Sequence, residues 1–328
     1  MIAEIGTDIP KSIDILRNGG LVAIPTETVY GLAANGLNEI AVASIFAAKN
    51  RPFFDPLILH IGKPNMLNQL VSNVPQNAKK LMDAFWPGPL TFVLPKTKNV
   101  PDIVTAGQDS VAVRMPNHQT TLNLLNKIDF PLAAPSANPF GYVSPTSAAH
   151  VFDQLGAKID YILDGGNCTV GLESTIISFM DESNPCILRL GGITKIEIEN
   201  IIGPVNERIH QNSNPTAPGQ LDQHYSPFCK LKELKNADAE NLQNSTIVFY
   251  SPESNIHQQL INQKEILNFQ ALYFTENNTE TQAASNLFSI LRDLDAKGLS
   301  EVYFEWAPNE GLGLAINDRL KRAMTKRD

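Results

Sequence analysis

Two cations spaced two residues apart, Lys49 and Arg51, stand between a hydroxyl-rich segment, Pro25-Thr-Glu-Thr-Val-Tyr-Gly-Leu32, and an apolar run ending at His60. Taken alone, Lys49-Asn-Arg-Pro52 reads as a helix C-terminus, where cations complement the dipole by roughly 0.3–1 kcal/mol and proline stops the helix. Three further features change that balance. Ala134-Pro-Ser-Ala-Asn-Pro-Phe-Gly141, followed by Ser144-Pro-Thr146, puts small hydroxyl and amide residues just past an apolar strand. Such a loop either caps the next helix at Thr146 or Ser147, or lets backbone N–H groups approach phosphate and ribose. Gly171-Leu-Glu-Ser-Thr175 leads into another apolar strand, and Arg114 and Arg189 each close one. A guanidinium fork matches carboxylate and phosphate. Two such arginines with Lys49 and Arg51 favour a bound polyanion over separate surface pairs. Hydroxyls, N–H groups and cations facing one cleft suit a nucleotide triphosphate.

These groups can meet only if strand ends gather them, which is where α/β sheets place ligands. Asp8 and Pro10 open a helix that Gly19-Gly20 closes, and Leu21–Ile24 reads as a buried strand. Asn38 caps a second helix with Ile40, Ala43, Ala47, Ile45 and Phe46 as its expected core-facing stripe. Strands are expected at 57–61, 90–94, 111–114, 131–134, 159–163, 174–179 and 186–190, with helices at 76–85, 119–126, 146–153 and 195–201. So many strands with uneven connections predict a large twisted mixed sheet over residues 1–203. From 204 to 244, Gly203-Pro204, Pro215, Pro218-Gly219 and Pro227 break any period and predict a linker. Residues 245–328 alternate strand and helix, predicting a second, smaller Rossmann-like domain with a parallel sheet. The fold class is therefore α/β. The small domain has no glycine-rich phosphate loop, so its fold assigns no function.

The chain of 328 residues is 43% hydrophobic and 18% charged, enough to build two cores. A formal net charge of -8 argues against a surface built for nucleic acid or anionic membrane, leaving room for weak RNA binding only. Cys168, Cys186 and Cys229 are scattered, without a Cys-x-x-Cys pair, which predicts reduced thiols, no zinc site and a cytoplasmic location. The N-terminus lacks the basic and apolar regions of a signal peptide, and no apolar run is long enough to span a bilayer.

The four motifs in this order, with Pro218-Gly219 and His224-Tyr225-Ser-Pro227 beyond them, resemble the YrdC-like L-threonylcarbamoyladenylate synthases in their two-domain form. The resemblance covers essentially the whole chain. It implies a nucleotidyltransferase that converts ATP, L-threonine and bicarbonate or CO2 into threonylcarbamoyl-AMP and pyrophosphate. The product serves N6-threonylcarbamoyladenosine formation in tRNA, through a separate downstream threonylcarbamoyl transferase complex. By family position Lys49, Arg51, Asp55, Ser110, Ser136, Asn138, Ser144, Arg189 and Tyr225 are expected to hold ATP, with Lys49 and Arg51 catalytic. Thr28, His60, Arg114, Ala134 (through its backbone) and Ser174 are expected to hold threonine, Arg114 taking the carboxylate. The linker is expected to act as an active-site lid. Magnesium is expected to accompany ATP, bound through phosphate oxygens and water rather than an acidic cage. Asp55 would repel phosphate unless magnesium or a backbone contact intervenes, and Gln220-Leu-Asp-Gln223 adds no cation beside Tyr225.

Two rival functions are distinguishable. A carbamoyl-transfer enzyme of hydrogenase maturation shares the core but adds zinc fingers, which the cysteine count excludes. A non-catalytic RNA-binding or ribosome-maturation factor needs a basic stripe with interleaved aromatics, and the acidic balance opposes it.

Overall fold

A computed structural model describes residues 2–209, 217–219, 225–237, 239–262 and 268–325. The expected positions 220–224, His224 among them, lie outside the described residues. The chain divides into two compact units: Met1–Phe140 with Ser144–Asp222, and Gly141–Val143 with Gln223–Asp328.

In the first unit the strands are β1 (Glu4–Gly6), β2 (Val22–Ile24), β3 (Gly31–Asn35), β4 (Ile58–His60), β5 (Leu90–Pro95) and β6 (Ser110–Arg114). They continue with β7 (Leu132–Ala133), β8 (Tyr161–Leu163), β9 (Thr175–Ser178), β10 (Cys186–Arg189) and β11 (Asn206–Glu207). They form one sheet in the order β1-β8-β2-β3-β7-β4-β6-β5-β9-β10-β11. β4 and β6 run parallel, whereas β2–β3, β4–β7 and β5–β6 are antiparallel, so the sheet is mixed as expected.

Strand alternation decides which side chains reach the site. On β6, Val111 and Val113 enter the main core with Leu59, Phe92, Leu94, Ile177 and Ile187. Ser110, Ala112 and Arg114 point the other way, and Ile58↔Ala112 and His60↔Arg114 are in register across β4 and β6. That opposite face carries a small apolar cluster of Ile58, Val93, Ala112, Ile176 and Leu188, covered by Ala217 from the expected linker. A core thus lies behind the sheet; in front, a second core with Val22, Ile24, Ala33 and Leu132 adjoins a narrow apolar floor ending in His60 and Arg114.

The helix Glu39–Lys49 begins at Asn38, whose side chain accepts from the Ile40 and Ala41 N–H groups. Its buried residues are Ala41, Val42, Ile45, Phe46, Ala48 and Lys49. The expected stripe was misphased: Ile40 is 81% exposed, and Ala47 also faces solvent. Apolar residues on nearly every position of this helix leave its mean pattern without a decisive face; neighbouring strands choose it. Burying Val42, Ile45 and Phe46, at about 1.5–3 kcal/mol each, fixes the helix rotation that turns Lys49 inward. Asn50, at φ 53°, ends the helix in the left-handed region, with Arg51 N–H donating to the Phe46 carbonyl at 3.0 Å.

The second unit is a four-stranded parallel sheet, β12 (Lys230–Glu233), β13 (Thr246–Phe249), β14 (Gln270–Tyr273) and β15 (Glu301–Phe304), in the order β12-β15-β13-β14. Helices Glu280–Ala296 and Gly313–Ala323 carry much of its buried surface. β12 lies inside 204–244, which was expected to be linker throughout. Lys230-Leu-Lys-Glu233 buries only Leu231 fully, and an edge strand tolerates the charged residues that hid it.

Candidate active site

The site begins as a set of loops tied to one another through their backbones. Thr26 Oγ1 accepts from the N–H groups of Thr28 at 3.2 Å and Val29 at 3.1 Å, closing a tight hydroxyl-supported turn. Leu32 N–H donates to the Pro135 carbonyl at 2.7 Å, Ala137 N–H to Tyr30 at 2.8 Å and Tyr30 N–H to Pro145 at 2.9 Å. Val170 N–H donates to the Glu27 carbonyl at 2.7 Å, adding the segment before β9. Gly31 permits this lacing, since a Cβ there would lie 3.2 Å from the Ala134 Cβ. Three motifs distant in sequence therefore form one frame.

Lys49, Arg51 and Arg189 all act on Asp55 and so form one group of buried cations. Lys49, 1% exposed, donates from Nζ to the carbonyls of Ser136 and Asn138. Arg51 Nε donates to the Asp55 carbonyl at 3.2 Å and Nη2 to Pro56 at 2.9 Å, while Nη2 also lies 2.8 Å from Asp55 Oδ2. Arg189 donates from Nε to the Ser174 carbonyl at 3.0 Å, from Nη2 to Ser174 Oγ at 3.0 Å and from Nη1 to the Pro218 carbonyl at 3.3 Å. Burial pushes the Asp55 carboxyl up from its ordinary value, against the pull of Arg51, Lys49 and Arg189. Burial also holds Lys49 well below the usual lysine range, with Arg51 adding to the effect. Asp55 thus sits among three cationic side chains, Lys49, Arg51 and Arg189, a grouping suited to an anion. Ser144 Oγ donates to Glu173 Oε1 at 2.7 Å, and Ser110 is buried where β6 begins.

Arg114 has its own set of partners. Its Nε donates to the Gly88 carbonyl at 3.1 Å, its Nη1 to Thr28 Oγ1 at 2.9 Å, and its Nη2 stands 2.7 Å from Glu27 Oε2. Ser174 Oγ shares a hydrogen bond of 2.7 Å with Thr91 Oγ1. Ala134 N–H donates to the Ile58 carbonyl at 3.1 Å, so this residue is held by its backbone. His60 is buried beside Arg114, and burial with that guanidinium lowers its imidazole to about 3. His60 is therefore neutral near pH 7.

The sign of the resulting pH dependence is fixed. Below about 6.5 the unfolded chain binds a proton at His60 that the native state refuses until about 3, so stability falls as pH drops through that window. At its steepest the loss is about 1.4 kcal/mol per pH unit. Denaturant unfolding of His60→Asn between about pH 7 and 4 is expected to show a shallower acid loss than the parent chain.

Of the expected site residues, Thr28, Lys49, Arg51, Asp55, His60, Ser110, Arg114, Ala134, Ser136, Asn138, Ser144, Ser174 and Arg189 all belong to the first unit, on its frame or adjoining strand ends. Tyr225 belongs to the second unit, fully buried, with its ring 5.4 Å from Phe288 and the Arg319 guanidinium 5.5 Å from its centre. Sequence reasoning names Glu27, with Thr26, Thr28 and Tyr30, among the polar groups of the turn and Glu173 within its motif, without a specific role, and passes over Thr91 and Gly191. A Cβ at Gly191 would lie 2.3 Å from the Glu173 carbonyl oxygen, so glycine is required for that close pass. Thr91 carried a usable signal, a lone hydroxyl inside the apolar run Leu90-Thr-Phe-Val-Leu94. The two carboxylates carried none beyond their motifs, because pairing across elements is invisible in the sequence.

Comparison with known proteins identifies the family. Residues 14–191 match the Sua5/YciO/YrdC family model, described as telomere recombination. Residues 193–325 match the Sua5 C-terminal model, described as the C-terminal domain of threonylcarbamoyl-AMP synthase. The chain is 41% identical to the threonylcarbamoyl-AMP synthase of Pyrococcus abyssi over 94% of this chain and 91% of that protein. It is 39% identical to that of Bacillus subtilis over 98% and 94%. The crystal structure of P. abyssi Sua5 complexed with L-threonine superposes with a TM-score of 0.85 at 37% identity, covering 99% of this chain and 98% of that one. A laced frame flanked by buried cations, the two matching domain models and similarity along nearly the whole length place this chain in the Sua5/YciO/YrdC family, in the two-domain form with a Sua5 C-terminal domain.

Proposed function

We infer that this chain is a threonylcarbamoyl-AMP synthase, joining L-threonine, bicarbonate or CO2 and ATP into threonylcarbamoyl-AMP with release of pyrophosphate. The observation that carries the reading is two sets of buried cations: Lys49, Arg51 and Arg189 around Asp55, and Arg114 held by Thr28 and Glu27. Relatives similar along nearly their full length bear that enzyme name, and one was crystallised with L-threonine.

The chemistry follows from what the residues can do. A carbamate is a weak, labile nucleophile, so rate enhancement comes from positioning and from neutralising charge at phosphate. Lys49, Arg51 and Arg189 are assigned to the triphosphate, with Ser110, Ser136, Asn138 and Ser144 as neutral partners. An anion arriving beside Lys49 favours its charged form, against the burial that lowers it. Arg114 takes the amino-acid carboxylate, while Thr28, Ser174, neutral His60 and the Ala134 backbone shape the remainder of that subsite. A carbamate oxygen then attacks the α-phosphorus as the bond to the bridging oxygen breaks and pyrophosphate leaves. The stretch at Ala217 and Pro218, which packs on the Ile58 cluster and accepts from Arg189, is proposed to cover the nucleotide.

Magnesium is proposed to accompany ATP. No cluster of three or more His, Cys, Asp or Glu able to hold a metal occurs among the described residues. Asp55 is engaged by Arg51, and Glu173 accepts from Ser144. Such a donor set fits an ion held mainly by phosphate oxygens and water. When bound, it would neutralise charge on the departing pyrophosphate. No helix of the described residues is long and apolar enough to cross a membrane; a cytoplasmic location and supply of product to a tRNA threonylcarbamoyl transferase complex complete the proposal.

The test is pyrophosphate release from ATP that requires both L-threonine and bicarbonate. Salt-sensitive RNA affinity without such turnover would instead indicate the RNA-binding function. Within the reading, Arg114→Ala is expected to raise the threonine KM by about 10–100-fold with a smaller change in the ATP KM, since a charge-assisted contact is worth about 1.5–3 kcal/mol. Steady-state kinetics at saturating ATP checks it; a selective loss of ATP affinity would reverse the division of labour.

A further inference from the structure

Glu27 is 6% exposed, and its Oε2 lies 2.7 Å from Arg114 Nη2. Yet neither of its carboxylate oxygens receives an aligned hydrogen bond among the described residues. Buried carboxylates ordinarily gather donors, because an unsatisfied acceptor is costly in a low dielectric. Arg114 is also incompletely used. A guanidinium has five N–H donors; here Nε serves Gly88, one Nη1 donor serves Thr28 and Nη2 faces Glu27. The other titratable groups that feel the Glu27 charge are His118, which follows β6, and Cys168, which precedes β9. Burial lowers His118 from its ordinary value and pushes the Cys168 thiol up to about 12, so both stand neutral near pH 7. Glu27 and Arg114 are therefore opposite charges side by side, each with hydrogen-bonding capacity in reserve. An α-amino acid zwitterion is the complement: a carboxylate and an ammonium separated by one carbon.

We propose that Glu27 is a catalytic residue that receives the α-ammonium of the amino-acid substrate while Arg114 holds its carboxylate, and that Glu27 takes the ammonium proton before carbamate formation. The proposal deepens the synthase reading above and rests on it. An ammonium has no lone pair, so one proton must leave before nitrogen can attack carbon. That proton moves to a Glu27 carboxylate oxygen. The freed amine attacks the bicarbonate carbon, the N–C bond forms, and the C–OH bond breaks as hydroxide departs with a second amine proton as water. The products are the carbamate, one water and protonated Glu27, which returns its proton to solvent. Net charge is conserved across the step.

The experiment uses the full chain and two ligands, L-threonine and its deaminated analogue 3-hydroxybutanoate, titrated calorimetrically without ATP. The parent chain is expected to prefer threonine by about 10–100-fold, the value of a charge-assisted contact. In Glu27→Gln the preference is expected to shrink to about threefold or less, because only the ammonium loses its partner. Its kcat/KM is expected to climb with pH until the free amine predominates, whereas the parent profile levels off at lower pH. A purely structural role for Glu27 would weaken both ligands alike and leave the shape of the pH profile unchanged, overturning the proposal. Equal affinity of the parent chain for both ligands would overturn it as well, whether or not the variant folds. Failure of the underlying synthase reading has a separate signature, a parent chain with no threonine-dependent pyrophosphate release, and takes this proposal with it.

Discussion

Lys49→Ala is expected to lower kcat/KM for pyrophosphate release by about 10³-fold or more, the scale set by removing a preorganised cation from a phosphoryl-transfer site. The structure adds a cost that a surface lysine would not carry. Lys49 Nζ donates to the carbonyls of Ser136 and Asn138, inside the loop that also supplies the Ser136 and Asn138 side chains. Alanine removes that donor from both carbonyls, at roughly 1–3 kcal/mol for Asn138 unless water enters, while the Ser136 carbonyl keeps the Asn138 N–H at 3.0 Å. The variant is therefore expected to be less stable as well as inactive, and the two effects must be separated. Turnover measured at a temperature where circular dichroism shows the variant fully folded does so. A variant that regains near-parental turnover once folded would make Lys49 a structural staple only. Lys49→Arg is expected to fail nearly as badly, since a slot shaped around an ammonium has no room for a planar fork.

That double role explains what was legible in the sequence and what was not. Motif identity was legible, because hydroxyl and amide residues after strands, and cations after a helix, are local patterns. The helix at 76–85, the strands flanking Arg114 and Arg189 and the alternation beyond 245 were legible for the same reason. β3, Gly31–Asn35, was not: Gly-Leu-Ala-Ala-Asn has no β-branched or aromatic residue, and its strand state comes from pairing with β2 and β7. The rotation of the helix Glu39–Lys49 was lost because apolar residues ring it, so tertiary packing rather than periodicity selects the buried side. Pairings such as Glu27 with Arg114 and Ser144 with Glu173 join residues tens of positions apart, and only the register of the sheet creates them. The sequence named donors and acceptors; the sheet decided who meets whom.

Arg51→Ala is the substitution expected to damage stability most. Arg51 Nη2 and Asp55 Oδ2 are 2.8 Å apart with both side chains nearly inaccessible, 4% and 1%. Removing one partner of a buried pair strands the other charge and costs about 3–5 kcal/mol. Asp55 then escapes part of the penalty by taking up a proton. Burial already pushes that carboxyl up, so the native variant binds more protons than its unfolded chain. Its stability deficit against the parent should consequently narrow as pH falls from about 7 towards the ordinary carboxylate range near 4. Arg51→Met with Asp55→Leu removes both charges at similar volume, and such replacements are often neutral or stabilising by about 1–4 kcal/mol. The double variant is expected to recover most of the stability lost in Arg51→Ala, short of the parental midpoint by the Asp55 and Pro56 carbonyls that lose their Arg51 donors, while binding ATP far more weakly. A stable double variant with near-parental ATP affinity would show that the pair serves the fold and leaves the nucleotide to Lys49 and Arg189. Stability and function separate at this position because the fold needs the charge balanced and two carbonyls given donors, whereas a triphosphate needs Arg51 to keep its own charge.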